Sequence, residues 1–341
     1  MLLLNLVCSA CLAVAGIVCL YHVVLAVASL RRLRFASDTD DSGSLSFAII
    51  IPAYNEEQCI GAVLRSCAGL DYPRKNYTVY VVADNCNDRT VQVATDHGAT
   101  CLVRSNGQSR GKGYALEWAF DRIPLDAYDA VVVLDADCLI DSHALRAFAR
   151  RLNAGDQVLQ TSSIVANPDD NVMSYVLALA NVAENDLFYA GKSAAGLAVF
   201  LRGTGMVFRR EVLQRCPWRA ESIVEDVEYS CQLLMEGFRI KFLHNVHVAS
   251  DFPTRQDELV IQRTRWIGGG TRLGMHYCMG LLRKGIVKRK LLLIDAGWTM
   301  LVVSRSLIVM QLLFTLVLSL ACRQGCADLW SGTLLLGSRP K

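Results

Sequence analysis

The stretch VVVLDADCLI, residues 131–140, decides how the chain is read. Three valines and a leucine read as a buried strand, which runs straight into Asp135 and Asp137, with Asp141 close behind. Residues i and i+2 of an extended chain point to the same side, so both carboxylates can reach one hard cation. The competing reading makes them helix caps, although Asp141 and Ser142 already stand at the next helix start.

Outward from this stretch, strands and helices alternate from about residue 45. SFAIII (46–51) is an apolar run ending at Pro52, and 55–70 has helical periodicity with Asn55 placed to cap it. YTVYVVAD (77–84) reads as a strand, 88–98 as a helix ending at Gly98, TCLV as a short strand, and GKGYALEWAFDRI as a third helix. Strands separated by helices of this length imply an α/β fold, a Rossmann-like and mostly parallel sheet flanked by helices. Ligands bind outside the carboxyl ends of such strands, and Asp84, Asp135 and Asp137 fall there. Past about residue 155 a long apolar helix is expected over 170–190. It is followed by a glycine-rich loop at 200–208, a helix ending at Gly237, a strand pair RIKFLH and VHVASDF, and a helical segment from Arg255 broken at Gly268–Gly270.

Composition narrows the class. The chain has 341 residues, of which 52% are hydrophobic, and its mean hydropathy is +0.29. That surplus sits at the two ends. Leu2–Leu30 contains no Asp, Glu, Lys or Arg and is followed by Arg31–Arg34, while a second block at 291–321 is interrupted by Asp295 and Arg305. A span needs about 20 apolar residues, and arginines flanking it stay in the cytoplasm. A cleaved signal peptide is the alternative, with Ala26-Val27-Ala28 as its cleavage site, but the stretch lacks a basic leader and is too long. The expected organisation is a membrane helix at 1–30, a cytoplasmic domain at 45–254, interfacial helices at 255–290, a membrane segment at 291–321 and a tail at 322–341. A net charge of +3, with no basic stripe, argues against a nucleic-acid partner. The one C-x-x-C, Cys8–Cys11, lies inside the first apolar stretch, where zinc or redox chemistry is out of place.

Three more groups carry candidate chemistry. Lys112, between two glycines at a helix start, suits a bound anion better than the helix dipole suits a lysine; a solvated lysine is the bland alternative, and the spacing is not that of a Walker loop. Glu225 and Asp226 open a helix, where acids are ordinary dipole chemistry. QRTRW (262–266) joins arginines suited to a diphosphate with a tryptophan suited to a sugar face, or else is a basic-aromatic helix beside a membrane.

Together these motifs resemble the family 2 glycosyltransferases, in particular the membrane-embedded branch containing cellulose, chitin and hyaluronan synthases. The matching features are PAYNEE at 52–57, Asp84, the D-x-D at 135–137, the loop at 203–205, the Glu225–Asp226 pair and Q-x-x-R-W at 262–266, in family order over about residues 46–270. The resemblance implies a GT-A fold and an inverting, metal-dependent transfer from a nucleotide-sugar, with UDP expected, using Mg2+ or Mn2+. By position, Pro52, Ala53, Tyr54, Glu56, Asp84, Lys112, Asp135 and Arg265 would bind the donor. Asp135 and Asp137 would hold the metal, and Asp226 would be the general base. Gly203, Thr204, Gly205, Glu225, Gln262 and Trp266 would face the acceptor. The expected acceptor is lipid-linked or a glycan, reached at the cytoplasmic face of the inner membrane in contact with membrane lipid. Few membrane segments and an LRGTG loop set the chain apart from the exporting synthases. Transfer of one or a few sugars is therefore expected, with processive synthesis beside a separate export partner as the alternative. A nucleotidyltransferase and a non-catalytic nucleotide-sugar binder are the readings from other classes.

Overall fold

In the computed structural model, which describes residues 2–30, 45–219, 222–251, 256–301 and 317, the reason for the apolar strands is plain. β1 (Phe47–Ala53), β2 (Tyr77–Asp84), β3 (Thr100–Arg104) and β4 (Ala130–Val133) are parallel neighbours in the order β3-β2-β1-β4. Alternate residues of β1 face opposite layers. Phe47, Ile49 and Ile51 join one core with Val63, Leu64 and Phe148, whereas Ala48 and Ile50 join a second with Leu116, Trp218 and Tyr229. With both faces covered there is no polar side to show, so the central strands β1 and β4 read as unbroken apolar runs. Each fully buried aliphatic side chain contributes about 1.5–3 kcal/mol.

The sheet continues beyond β4 as β7 (Met206–Arg209), β6 (Val158–Val165), β8 (Ile240–Ser250) and β5 (Cys138–Ile140). Pairing is antiparallel from β4 to β7, from β7 to β6 and from β8 to β5. The sheet is therefore mixed, which corrects the mostly parallel sheet expected from the sequence. β5, β6 and β7 escaped that reading because two are only three or four residues long and β6, VLQTSSIV, carries polar residues in its middle. The expected strand pair at 239–252 is one strand, β8. Its register against β6 jumps from Leu243 to His247, so residues 244–246 form a bulge between the two halves.

The helices differ from expectation mainly at their starts. α2 spans Ile60–Ala68 rather than 55–70, because Asn55 is left-handed (φ 57°) and its side-chain oxygen accepts from the Asn87 N–H. α3 (Thr90–Asp96), α4 (Lys112–Phe120) and α5 (Ala144–Asn153) pack on the sheet. The expected 170–190 helix is α6 (Val172–Ala183), a π-helical stretch at Glu184–Tyr189 and α7 (Ala190–Ala195). α8 (Arg210–Arg215) and α9 (Glu225–Glu236) follow. α10 runs unbroken over Gln256–Lys288, through all three glycines. Each glycine costs a helix about 1 kcal/mol, too little to break one whose later turns bury Leu273, Cys278 and Leu281. Gly269 also serves the packing, since a Cβ there would stand 3.0 Å from Val224 Cγ1.

Contacts divide the chain into two units, Met1–Val24 with Val302–Lys341, and Leu25–Leu301. α1 (Leu2–Ser29) is a single helix of 28 residues and α11 spans Leu291–Leu301. Among the described residues no helix is long and apolar enough to cross a membrane, so the two expected spans find no support there. Arg31–Arg34, most of the second apolar block and the 322–341 tail lie outside the described residues.

Glycine is required most strictly at position 205. Its φ is +64°, and a Cβ would lie 1.8 Å from Thr161 Oγ1. Gly205→Ala is expected to destabilise by roughly 3 kcal/mol from strain and overpacking together. Thr161 Oγ1 is buried without a hydrogen bond, so Thr161→Ala removes the clash at little polar cost. The double variant should recover part of the lost melting temperature. No recovery would mean that backbone strain alone sets the cost.

Candidate active site

β1, β2 and β4 deliver their carboxyl ends to one rim. β1 lies between β2 and β4, and the chain leaves β1 and β4 in opposite directions along the sheet, the switch point at which such sheets open a crevice. Two asparagines make the turns off this rim, Asn55 (φ 57°) and Asn85 (φ 55°). Asparagine tolerates this conformation because its short side chain bonds locally. Asn85 Oδ1 accepts from the Asn106 N–H at 2.8 Å, which ties the 105–111 loop to the end of β2. β7 is antiparallel to β4 with Met206 opposite Val133, so the loop 203–205 arrives beside Asp135.

The centre is a meeting of charges over Gly203. The Lys112 ammonium contacts the Asp135 carboxylate and donates to the Gly203 carbonyl at 2.8 Å. The Asp135 N–H donates to Thr204 Oγ1 at 3.1 Å. Gly203 is left-handed (φ +83°), and a Cβ there would stand 3.4 Å from Lys112 Nζ and 3.5 Å from Asp226 Oδ2. Residues 91 positions apart in the chain are thereby held together. Gln160 on β6 fixes the loop from beneath, its Nε2 donating to the Thr204 carbonyl at 2.8 Å and its Oε1 accepting from the Arg202 N–H at 2.9 Å. The Leu201 N–H donates to Ser230 Oγ, which donates to the Asp226 carbonyl.

Burial dominates the electrostatics. It raises Asp226 above the usual carboxylate range against the opposing Val227 N–H and Lys112 ammonium. It raises Glu225 to about 7, with Asp226's charge adding to the effect. Burial alone would lower Lys112, but Asp135 in contact raises it. Asp137 keeps solvent access as a residue, yet burial of its carboxyl and the charge of Asp135 raise it too. Burial also raises Glu56, which then feels Asp137 and Asp135 through space. These acids share one field.

A prediction follows for Glu225. Its carboxyl goes from an ordinary 4.5 to about 7 in the fold, so the native state holds a proton that the unfolded chain has released. Stability from this group is therefore greatest below pH 4.5 and falls as pH rises through 7. Glu225→Gln stays neutral throughout. Its melting temperature should exceed that of the parent at pH 8, and the difference should vanish near pH 4.5. Equal melting curves at pH 8 would show that Glu225 ionises without penalty.

Asp135, Asp137 and Cys138 place one potential ligand atom each within 4.8 Å of one another. Two like carboxylates that close, one with its ionisation opposed by the other, form a donor set that a divalent cation would relieve, and oxygen donors suit Mg2+ or Mn2+. The residues present fit such an ion.

Residues 45–269 match the family described as "Glycosyltransferase like family 2". The chain belongs to glycosyltransferase family 2. Among its relatives, a beta-monoglucosyldiacylglycerol synthase from Trichormus variabilis is 29% identical over 259 residues, covering 73% of this chain and 54% of that protein. A poly-beta-1,6-N-acetyl-D-glucosamine synthase from Staphylococcus epidermidis is 25% identical over 251 residues, covering 70% and 58%. The chain thus spans little more than half the length of these curated relatives. Among solved structures, the mannosyltransferase PcManGT from Pyrobaculum calidifontis, in complex with GDP-Man and Mn2+, superposes with a TM-score of 0.64 at 20% identity, covering 99% of this chain and 93% of that one. That likeness shows the fold, which is GT-A-like.

Against this family 2 frame, the fold brings Lys112, Asp135, Gly203, Thr204 and Asp226 together, with Asp137, Glu225 and Glu56 in the same field. Gly205 is set by packing against Thr161. Pro52 and Ala53 end β1, and Tyr54 stands exposed just beyond it. Asp84 is buried and bonded through Oδ1 to Arg104 Nη1 (2.5 Å) and Asn85 Nδ2 (2.9 Å). Arg104 also donates to the Ser109 carbonyl, so the pair braces the 105–111 loop. Gln262, Arg265 and Trp266 lie on α10, and their side chains fall outside the described residues. Sequence reading missed Arg104, Gln160 and Cys138. Arg104 shows itself only through the β2–β3 register that sets it opposite Asp84. A glutamine inside VLQTSSIV is the one trace of Gln160.

Proposed function

We propose that this protein is an inverting glycosyltransferase. It moves a sugar from a nucleotide-sugar, a UDP-sugar in the first instance, to the hydroxyl of a lipid-linked or glycan acceptor at the cytoplasmic face of a membrane. The observation that carries the reading is the convergence of Lys112, Asp135 and Asp226 over Gly203. Such a site needs a base facing an electrophilic carbon and cationic groups facing a leaving diphosphate; Lys112 contacts Asp135 directly, and Lys112 and Asp226 both border the space over Gly203.

Asp226 Oδ2 takes the proton of the acceptor hydroxyl as its oxygen attacks the anomeric carbon, and one displacement inverts the configuration. The raised ionisation of Asp226 makes it a better base than a free carboxylate once ionised. Lys112 supplies a fixed positive charge on the donor side. Gly203 presents no side chain to the space bordered by Lys112 and Asp226, which leaves that space to a sugar. Asp135 and Asp137 would hold a divalent ion, which would supply positive charge to a departing nucleoside diphosphate.

A lipid acceptor is supported by α6. Its twelve residues carry no charge, and Val172, Met173, Tyr175, Val176, Leu179 and Val182 are all about half or more exposed. An exposed apolar helix of this kind suits a lipid surface. The uncharged stretch Leu2–Leu30 supports membrane attachment. The relative that makes monoglucosyldiacylglycerol supports the same acceptor class, and the poly-N-acetylglucosamine synthase supports a second reading, processive synthesis beside an export partner.

The test is nucleoside diphosphate release by detergent-purified protein with Mn2+, across UDP- and GDP-sugars, with diacylglycerol or an N-acetylglucosamine oligomer as acceptor. Release from one donor, dependent on diacylglycerol and producing a single-sugar lipid, is the expected result. Long products from the oligomer would favour the processive reading. Pyrophosphate release, or donor binding without turnover under any condition, would sink the assignment.

A further inference from the structure

Asp295 is the acid that interrupts the second apolar block, and its place in the fold is unusual. Its side chain is 4% exposed and pairs at 3.0 Å with Lys192 on α7, which is 0% exposed. The Lys192 ammonium also donates to Thr299 Oγ1 at 2.5 Å and stands 5.0 Å from the Phe188 ring centre. Directly before Lys192, Gly191 lies so close to α1 that a Cβ would stand 2.2 Å from the Leu25 carbonyl oxygen. α7 is thus held between the end of α1 and α11, with a buried ion pair in the seam. Such a pair adds little net stability over an apolar one, because both charges lose their water.

The carboxylate has a second duty. Asp295 Oδ2 accepts from the Ala198 N–H at 2.9 Å. Ala198 opens a strap, AVFLRGT, that leaves α7 through left-handed Gly196 and ends in the loop over the active site. The strap is tethered along its length, at Leu201 by Ser230 on α9, at Arg202 by Gln160, at Gly203 by Lys112 and at Thr204 by the Asp135 N–H. The tethers at Leu201, Arg202, Gly203 and Thr204 come from the catalytic domain. The first comes from α11, the helix that opens the C-terminal apolar block.

We infer that Asp295, held by Lys192, is a positioning residue that seats the 198–204 strap and so couples the placement of α11 to the acceptor side of the active site. Asp295 touches no reacting atom. It sets where the strap begins, and the remaining tethers carry that position to Gly203, against which Asp226 and Lys112 lie.

Two double variants separate positioning from mere stability. Lys192→Met with Asp295→Asn removes both charges but keeps an oxygen for the Ala198 N–H. Lys192→Met with Asp295→Leu removes the charges and the acceptor together. In full-length, detergent-purified protein, hydrogen–deuterium exchange over 198–204 should quicken at least about tenfold in the Leu variant relative to the Asn variant, with exchange in β1, β2 and β4 unchanged. Equal strap exchange in the two variants, or exchange quickened uniformly through the sheet, would overturn the inference. The kinetic arm rests on the proposed transfer reaction. There the Leu variant should raise KM for diacylglycerol about tenfold while KM for the donor stays at its parent value, and a matched rise in both would likewise count against it. If the parent protein transfers no sugar, the functional reading fails by itself, and the exchange result still decides the tether.

Discussion

Asp226→Asn is expected to lower turnover by about 10²–10⁴-fold, the range that a positioned general base contributes. Asparagine keeps the size of the side chain and an oxygen to accept from the Val227 N–H, now made by Asp226 Oδ1 at 2.8 Å. It loses the negative charge and with it the capacity to take a proton. Donor affinity should therefore hold, and the loss should fall on the rate constant. Glu225 is the nearest rival for the role, raised to about 7 by burial and by Asp226 itself. The geometry favours Asp226, because its Oδ2 lies by Gly203 near Lys112, the place the proposed reaction gives to donor and acceptor. Single-turnover transfer and equilibrium donor binding on the same protein check the prediction. Parent-like transfer by Asp226→Asn, with loss on Glu225→Gln instead, would move the base to the neighbouring residue.

Asp135→Asn should have the second largest effect, because it removes two functions at once. Asp135 is one of the two carboxylates able to hold a divalent ion and is also the partner of the Lys112 ammonium. The variant should lower kcat/KM about 10³-fold, the scale of several kcal/mol of transition-state charge stabilisation. It should also weaken Mn2+ binding in a titration without donor. Asp137→Asn offers the contrast, since it leaves the Lys112 contact intact and should weaken the metal without disturbing the 203–204 loop. Loop disturbance can be read apart from activity, as faster exchange at Gly203 and Thr204 in Asp135→Asn alone. If both variants bind Mn2+ like the parent, the metal site lies elsewhere.

The sequence showed which strands are buried, because a strand covered on both faces leaves little place for a polar residue: β1 and β4 are apolar throughout, and β2 is interrupted only at Thr78 before it ends at Asp84. It also showed where those strands stop. A carboxylate cannot remain inside such a layer unpaired, so Asp84 and Asp135 mark the rim wherever the rim is. Short strands were not legible. β5 and β7 owe their existence to partners already in place, with no period of their own to announce them. Nor could a count of glycines foresee that α10 would run through three of them, since the packing of Leu273, Cys278 and Leu281 outweighs a local propensity.

What the sequence determined by itself is the family order of the motifs, the apolar layers and the chemical types gathered at the strand ends, all of which are local or additive properties of the chain. Only the tertiary structure decided that Lys112 lies against Asp135, that Asp84 is bound to Arg104, and that Asp295 reaches the start of the strap over the site. Each of these pairs joins residues some 20 to 100 positions apart. The contacts depend on strand order, register and helix seating, which arise from the packing of the whole sheet and from no single stretch of it.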